Sequence, residues 1–122
     1  MDEKYKQELE KNGVDVKGSI DRFLGEEEIY DKFLKKTISS SDFDKLTDCL
    51  EQEDYKEAFR CAHTLKGVAG NLGLIPIEEI ASAITELLRG KEDSEVDVEA
   101  VNEKNREMQK TYQVFIEIIN NN

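Results

Sequence analysis

The segment VEAVNEKNREMQKTYQVFIEII, residues 98–119, decides the fold. Its stripe of Val98, Val101, Asn105, Met108, Tyr112, Phe115 and Ile119 steps 3-4-3-4-3-4 along the chain. An α-helix turns about 100° per residue, so this spacing gathers all seven positions on one face. Such a face is the seam of a helix bundle. Asn105 is its polar member, expected to bond locally or to fix helix alignment rather than to act in chemistry.

The neighbouring segments supply partners for that seam. Asp54 with Glu57 reads as a capping pair for a helix whose apolar stripe is Tyr55, Ala58, Ala62, Leu65, Ala69 and Leu72, with Gly73 as its terminator. Pro76 suits the first turn of a further helix, with Ile77, Ile80, Ala81, Ile84, Leu87 and Leu88 inward. Gly90 and the charged run to Glu95 make a loop. Nearer the N-terminus, a short charged helix from about Asp2 to Lys11 stops at Asn12-Gly13. Asp15 caps a second through Ile20, Phe23 and Leu24, ended by Gly25. Ile29, Tyr30, Phe33, Leu34 and Ile38 form one apolar face. Ser41, with Asp44 three residues on, caps a helix that buries Phe43, Leu46, Cys49 and Leu50. No segment alternates like a strand. The expected architecture is therefore all-α: one domain over residues 1–122, an antiparallel four-helix bundle with short additional N-terminal helices.

Composition excludes several function classes. With 122 residues the chain supports a single core. It is 37% charged and carries a formal charge of −11, which disfavours nucleic acid and anionic membrane surfaces as partners. No apolar run is long enough to span a bilayer, and the charged N-terminus is unlike a signal peptide. A cytoplasmic protein is expected, with Cys49 and Cys61 as small buried thiols. Two thiols and one imidazole at this spacing do not make a metal site, and no cofactor is expected. Met1 at the head of a compact domain favours a free-standing protein. The exposed faces show no second long apolar seam, so a monomer is expected.

The single histidine, His63, lies within Cys61-Ala62-His63-Thr64-Leu65-Lys66-Gly67-Val68-Ala69-Gly70-Asn71-Leu72-Gly73-Leu74. On the helical wheel it points roughly 130° away from its helix's apolar stripe. A core histidine is therefore disfavoured, and the ring is expected to face solvent. Phe59 lies one turn before it, Lys66 and Gly67 one turn after, and Gly70 two turns after. An interior helical glycine costs roughly 0.5–1 kcal/mol relative to alanine. Gly67 points away from the core, where packing needs no small residue. That placement suggests that something must come close to the imidazole. Gly70 is balanced between this reading and a close helix contact, and Phe59 between a docking surface and core packing. A solvent-facing imidazole is a competent nucleophile. Yet no serine or cysteine shares its face locally, and no phosphate-binding glycine loop is present. The group it takes would have to come from another protein.

This segment resembles the histidine-containing phosphotransfer (HPt) family of two-component phosphorelays, whose pattern is His-x-x-Lys-Gly followed by small residues and a glycine. A weaker likeness covers Arg22-Phe23-Leu24-Gly25-Glu26-Glu27-Glu28-Ile29-Tyr30, with Phe33 and Leu34 after it. The resemblance implies that His63 accepts a phosphoryl group and exchanges it with an aspartate of a receiver domain. It implies that Lys66 stabilises the phosphoryl charge and that Gly67 leaves room for the receiver. Phe59, Gly70, Lys56 and Arg60 complete the expected partner-binding set. The implied partners are a response-regulator receiver domain and a sensor histidine kinase. The chain would be a carrier without kinase activity, and Mg²⁺ would belong to the receiver. Two other readings stand beside this one. The bundle could be a binding module that sequesters a signalling partner without transfer, or an enzyme using His63 as acid or base, for which no second catalytic group is assignable.

Overall fold

The computed structural model describes residues 1–122 and contains seven α-helices: α1 Glu3–Lys11, α2 Val16–Arg22, α3 Glu27–Ile38, α4 Asp42–Glu51, α5 Tyr55–Leu72, α6 Ile75–Leu88 and α7 Val98–Asn120. Helices α4 to α7 form the core bundle, and the shorter α1 to α3 pack around it. There is no sheet; one antiparallel bridge joins Val14 to Leu74. No helix is long and apolar enough to cross a membrane.

The α7 seam behaves as its spacing predicts over most of its length. Val101, Asn105, Met108, Phe115 and Ile119 are buried, whereas Val98 at the helix start is exposed. Asn105 donates from Nδ2 to Thr47 Oγ1 of α4 at 3.0 Å and accepts from Gln109 Nε2 at 3.1 Å. Gln109 also donates to the Phe43 carbonyl at 3.2 Å. The polar member of the stripe thus aligns α7 against α4. Tyr112 stacks on Phe43, with ring centroids 3.8 Å apart.

Helix α5, which carries His63, is the best anchored. Every residue of its expected stripe is buried, and Asp54 caps it by accepting from the Glu57 amide at 3.3 Å. Gly73 ends it with φ +70, the left-handed conformation that glycine adopts without a Cβ penalty. A Cβ there would also collide with Ser19 Oγ and the Asp15 carbonyl. Further contacts hold the same end. The Asp15 amide donates to the Gly73 carbonyl at 2.9 Å, and the Tyr30 hydroxyl donates to the Leu72 carbonyl at 2.7 Å. Arg22 Nη2 donates to the Gly70 and Asn71 carbonyls at 3.2 and 3.3 Å. These bonds satisfy the carbonyls that a helix C-terminus leaves without partners, and they fix α5 against α2 and α3.

Several local expectations are corrected. Helix α2 ends at Arg22, and its chain turns through two left-handed residues, Leu24 and Gly25, rather than Gly25 alone. Ser41 occupies the N-cap of α4 without a side-chain cap bond; instead Ser40 Oγ accepts from the Asp42 amide at 3.2 Å. On α3, Tyr30, Leu34 and Ile38 are buried, but Ile29 and Phe33 are exposed. The loop after Gly90 includes a single 3₁₀ turn, Asp93–Glu95.

Cys49 and Cys61 are free and buried. Burial pushes the Cys61 thiol up to about 11 and the Tyr30 hydroxyl up to about 12. The unfolded chain releases these protons at lower pH than the folded one. Their contribution to stability is therefore complete below the ordinary thiol and phenol ranges and is lost as pH rises through the folded values. Urea melts are expected to show lower stability at about pH 10.5 than at about pH 7. A native protein equally stable at both would contradict the assigned burial.

Candidate functional site

The outer face of α5 carries the expected constellation. His63 is exposed, as its angular distance from the apolar stripe predicts. Lys66 is half-buried and forms no ion pair within the chain. A Cβ built on Gly67 would meet nothing within 4 Å, so the helix backbone beside the imidazole is open to an incoming surface. His63, Lys66, Gly67, Gly70, Asn71 and Glu78 line one shallow depression of about 370 Å³.

The remaining expected residues divide into two groups. Lys56 and Arg60 are exposed on α5, and Arg60 pairs with Glu57 at 3.2 Å. Phe59 is half-buried, with its ring centroid 6.1 Å from that of His63. It packs against the core cluster, as the packing reading expects, and its ring borders the imidazole. Gly70 is half-buried, with the flexible end of a side chain of α6 over it. A Cβ there would collide with the Glu78 carboxylate of α6, which lies over the α5 backbone at that point.

The sequence reading did not single out three residues in or beside the site. Glu78 brings a carboxylate into the His63 depression, and Asn71 lines its far side. Arg89, at the end of α6, places its guanidinium 5.3 Å from the Phe59 ring centroid while pairing with Glu86 at 3.1 Å. Glu78 and Arg89 are remote in sequence from His63, and only the antiparallel docking of α6 on α5 brings them near. Asn71 had a signal: it shares the outward side of the α5 wheel with Gly67.

In a chain of net charge −11, Lys56, Arg60 and Lys66 bring three cations to this side of α5; Glu57 pairs with Arg60 and the Glu78 carboxylate enters the His63 depression, which leaves Lys56 and Lys66 without an ion pair. No cluster of His, Cys, Asp and Glu side chains is arranged to hold a metal ion.

Comparison with protein families gives one match. The family described as the Hpt domain matches residues 33–115, about two thirds of the chain, and the matched span contains the whole His63 depression. No curated protein and no solved structure matches.

Proposed function

The chain belongs to the Hpt domain family, a family of phosphoryl carriers in two-component relays, and on that premise we propose that His63 is its phosphoryl acceptor. One observation carries the assignment: the protein's single imidazole is exposed, beside an unpaired Lys66 and an open Gly67, on the outer face of a helix anchored at its far end.

The step requires little of this chain beyond placement. An unprotonated ring nitrogen attacks the phosphorus of a receiver aspartyl phosphate. An N–P bond forms, the P–O bond to the aspartate breaks, and the aspartate leaves as a carboxylate. The reverse step returns the group. Phosphoryl transfer depends mainly on in-line positioning and on neutralising the oxygens. Lys66 supplies a cation one helical turn from His63 and has no competing intramolecular partner. Gly67 lets the receiver's loops approach. The partner is a receiver domain, which brings the aspartate and the Mg²⁺; a sensor kinase is the source from which the relay is charged.

The reading is tested by mixing the protein with a receiver domain phosphorylated by acetyl phosphate. Acid-labile, base-stable label is expected on this chain, and a stable complex without label would support a binding module instead. Lys66→Ala is expected to slow transfer by about tenfold, equivalent to ~1.4 kcal/mol in the barrier. Its folding stability should change by less than about 1 kcal/mol, because a solvent-accessible cation without a partner contributes little. Transfer by Lys66→Ala at the unaltered rate to every receiver tried would remove Lys66 from the mechanism.

A further inference from the structure

Glu78 is the only carboxylate in the depression that holds His63. It enters from α6, and its Oε2 lies directly over Gly70 of α5, where a Cβ would collide with it. The missing side chain of Gly70 is what gives the carboxylate its seat. Glu78 is half-buried and forms no ion pair, so its charge stands uncancelled in the depression. It also lies in the first turn of α6, where an acid suits the helix dipole. That role accounts for an acid at this position. It does not account for a helix-weakening glycine in α5 opposite it.

Gly70 is four residues after Lys66 and seven after His63. Glu78 therefore stands where a side chain of α5 itself would stand. It is on the imidazole's own face, one turn beyond Lys66 and about 10 Å along the axis from His63. A phosphoryl group on the ring brings up to two negative charges to that face. At about 10 Å the field of one carboxylate on such a group is worth about threefold in an equilibrium constant at low ionic strength, and far less once salt shortens the Debye length. Lys66 favours the added charge, and Glu78 opposes it.

We infer that Glu78, seated on Gly70, makes His63 a better phosphoryl donor: it raises the free energy of the phosphorylated ring and so biases transfer towards the receiver aspartate. The inference rests on the phosphotransfer reading of His63. In the favoured direction the aspartate carboxylate attacks phosphorus. An O–P bond forms, the N–P bond breaks, and its electron pair returns to the ring nitrogen. The phosphoryl charge then leaves the depression, and its repulsion by Glu78 ends. Glu78 touches no reacting atom. It acts through space on the charge that His63 carries.

The test uses Glu78→Gln and Glu78→Lys, with Glu79→Gln, exposed at the next position of α6, as control. Exchange with a receiver domain is followed in both directions, from receiver phosphorylated by acetyl phosphate and from this chain labelled by phosphoramidate. The ratio of the two rate constants gives the equilibrium. At an ionic strength of about 20 mM, label is expected to shift towards His63 about threefold in Glu78→Gln and about tenfold in Glu78→Lys, because the effect multiplies with each unit of charge. Both shifts should shrink below about 1.5-fold in ~0.5 M salt, and Glu79→Gln should leave the ratio unaltered. The steady-state fraction labelled by phosphoramidate alone should rise in the same order, a readout that needs no docking. A role confined to packing or to the helix dipole would lower thermal stability without this charge order or salt dependence. An unaltered ratio in folded Glu78→Gln would overturn the inference while leaving His63 as acceptor. So would a shift of equal size in Glu79→Gln, or one that persists in high salt. Should Glu78→Lys fail to fold, Glu78→Gln decides alone. Should the unaltered protein take label from phosphoramidate but exchange with no receiver, the receiver reading falls and the labelled fraction still decides the role of Glu78. Absence of label from both donors would overturn the phosphotransfer reading, and this inference with it.

Discussion

Replacing His63 with glutamine is expected to abolish acid-labile, base-stable label from a phosphorylated receiver and to leave the fold unchanged. The protein has one imidazole, so no second ring can substitute. His63 is exposed, and the packing of α5 is carried by Tyr55, Ala58, Ala62, Leu65, Ala69 and Leu72 on the opposite side. An exposed substitution away from caps and buried networks changes stability by about 0.5 kcal/mol or less. Glutamine keeps a polar, helix-compatible side chain there. Circular dichroism and thermal melting should therefore match the unaltered protein while the label disappears. Label retained by the His63→Gln protein would end the assignment. Loss of helicity would show that the residue is structural.

At Gly67 stability and function are expected to move in opposite directions. A Cβ at this position meets open space. Gly67→Ala should therefore raise stability by roughly 0.5–1 kcal/mol, because it restricts the unfolded chain without a clash in the folded one. Gly67→Gln should fold normally and still be labelled by phosphoramidate. Its side chain, however, rises beside His63 in the space a receiver must enter. Receiver-dependent transfer should fall by about 100-fold, equivalent to ~2.7 kcal/mol. Normal transfer by a folded Gly67→Gln protein would refute the steric-access argument. The contrast with Gly73 shows why a glycine's surroundings matter. Gly73 has a positive φ and lies against Ser19 and the Asp15 backbone, so its lack of a side chain serves the fold. Gly67 has neither constraint.

The site was legible where it was local. His63, Lys66 and Gly67 lie within one turn of one another, so helical geometry alone fixes their shared face once the α5 stripe is recognised. Asn105 was legible as a tie because a lone amide in an apolar seam needs a partner. Its partner, Thr47, was not, because nothing local relates the two residues. The faulty expectations have two causes. Ile29 and Phe33 sit at helical spacing with Tyr30 and Leu34, and periodicity cannot tell a face that packs on the bundle from one left bare beside it. Ser41 has the right chemistry for a cap, but capping needs an extended backbone and its φ and ψ are −77° and −4°.

Seven amphipathic segments, their order and the outward direction of the one imidazole follow from residue spacing, because an α-helix converts a short-range repeat directly into a face. What only the tertiary structure decided is which of those faces are covered. The docking of α6 on α5 laid Glu78 over Gly70 and Arg89 over Phe59. The set of α2 and α3 against the end of α5 left Leu24, Ile29 and Phe33 uncovered. Those outcomes depend on residues of different helices, whose meeting is set by the packing of whole helices and leaves no periodic trace in the chain.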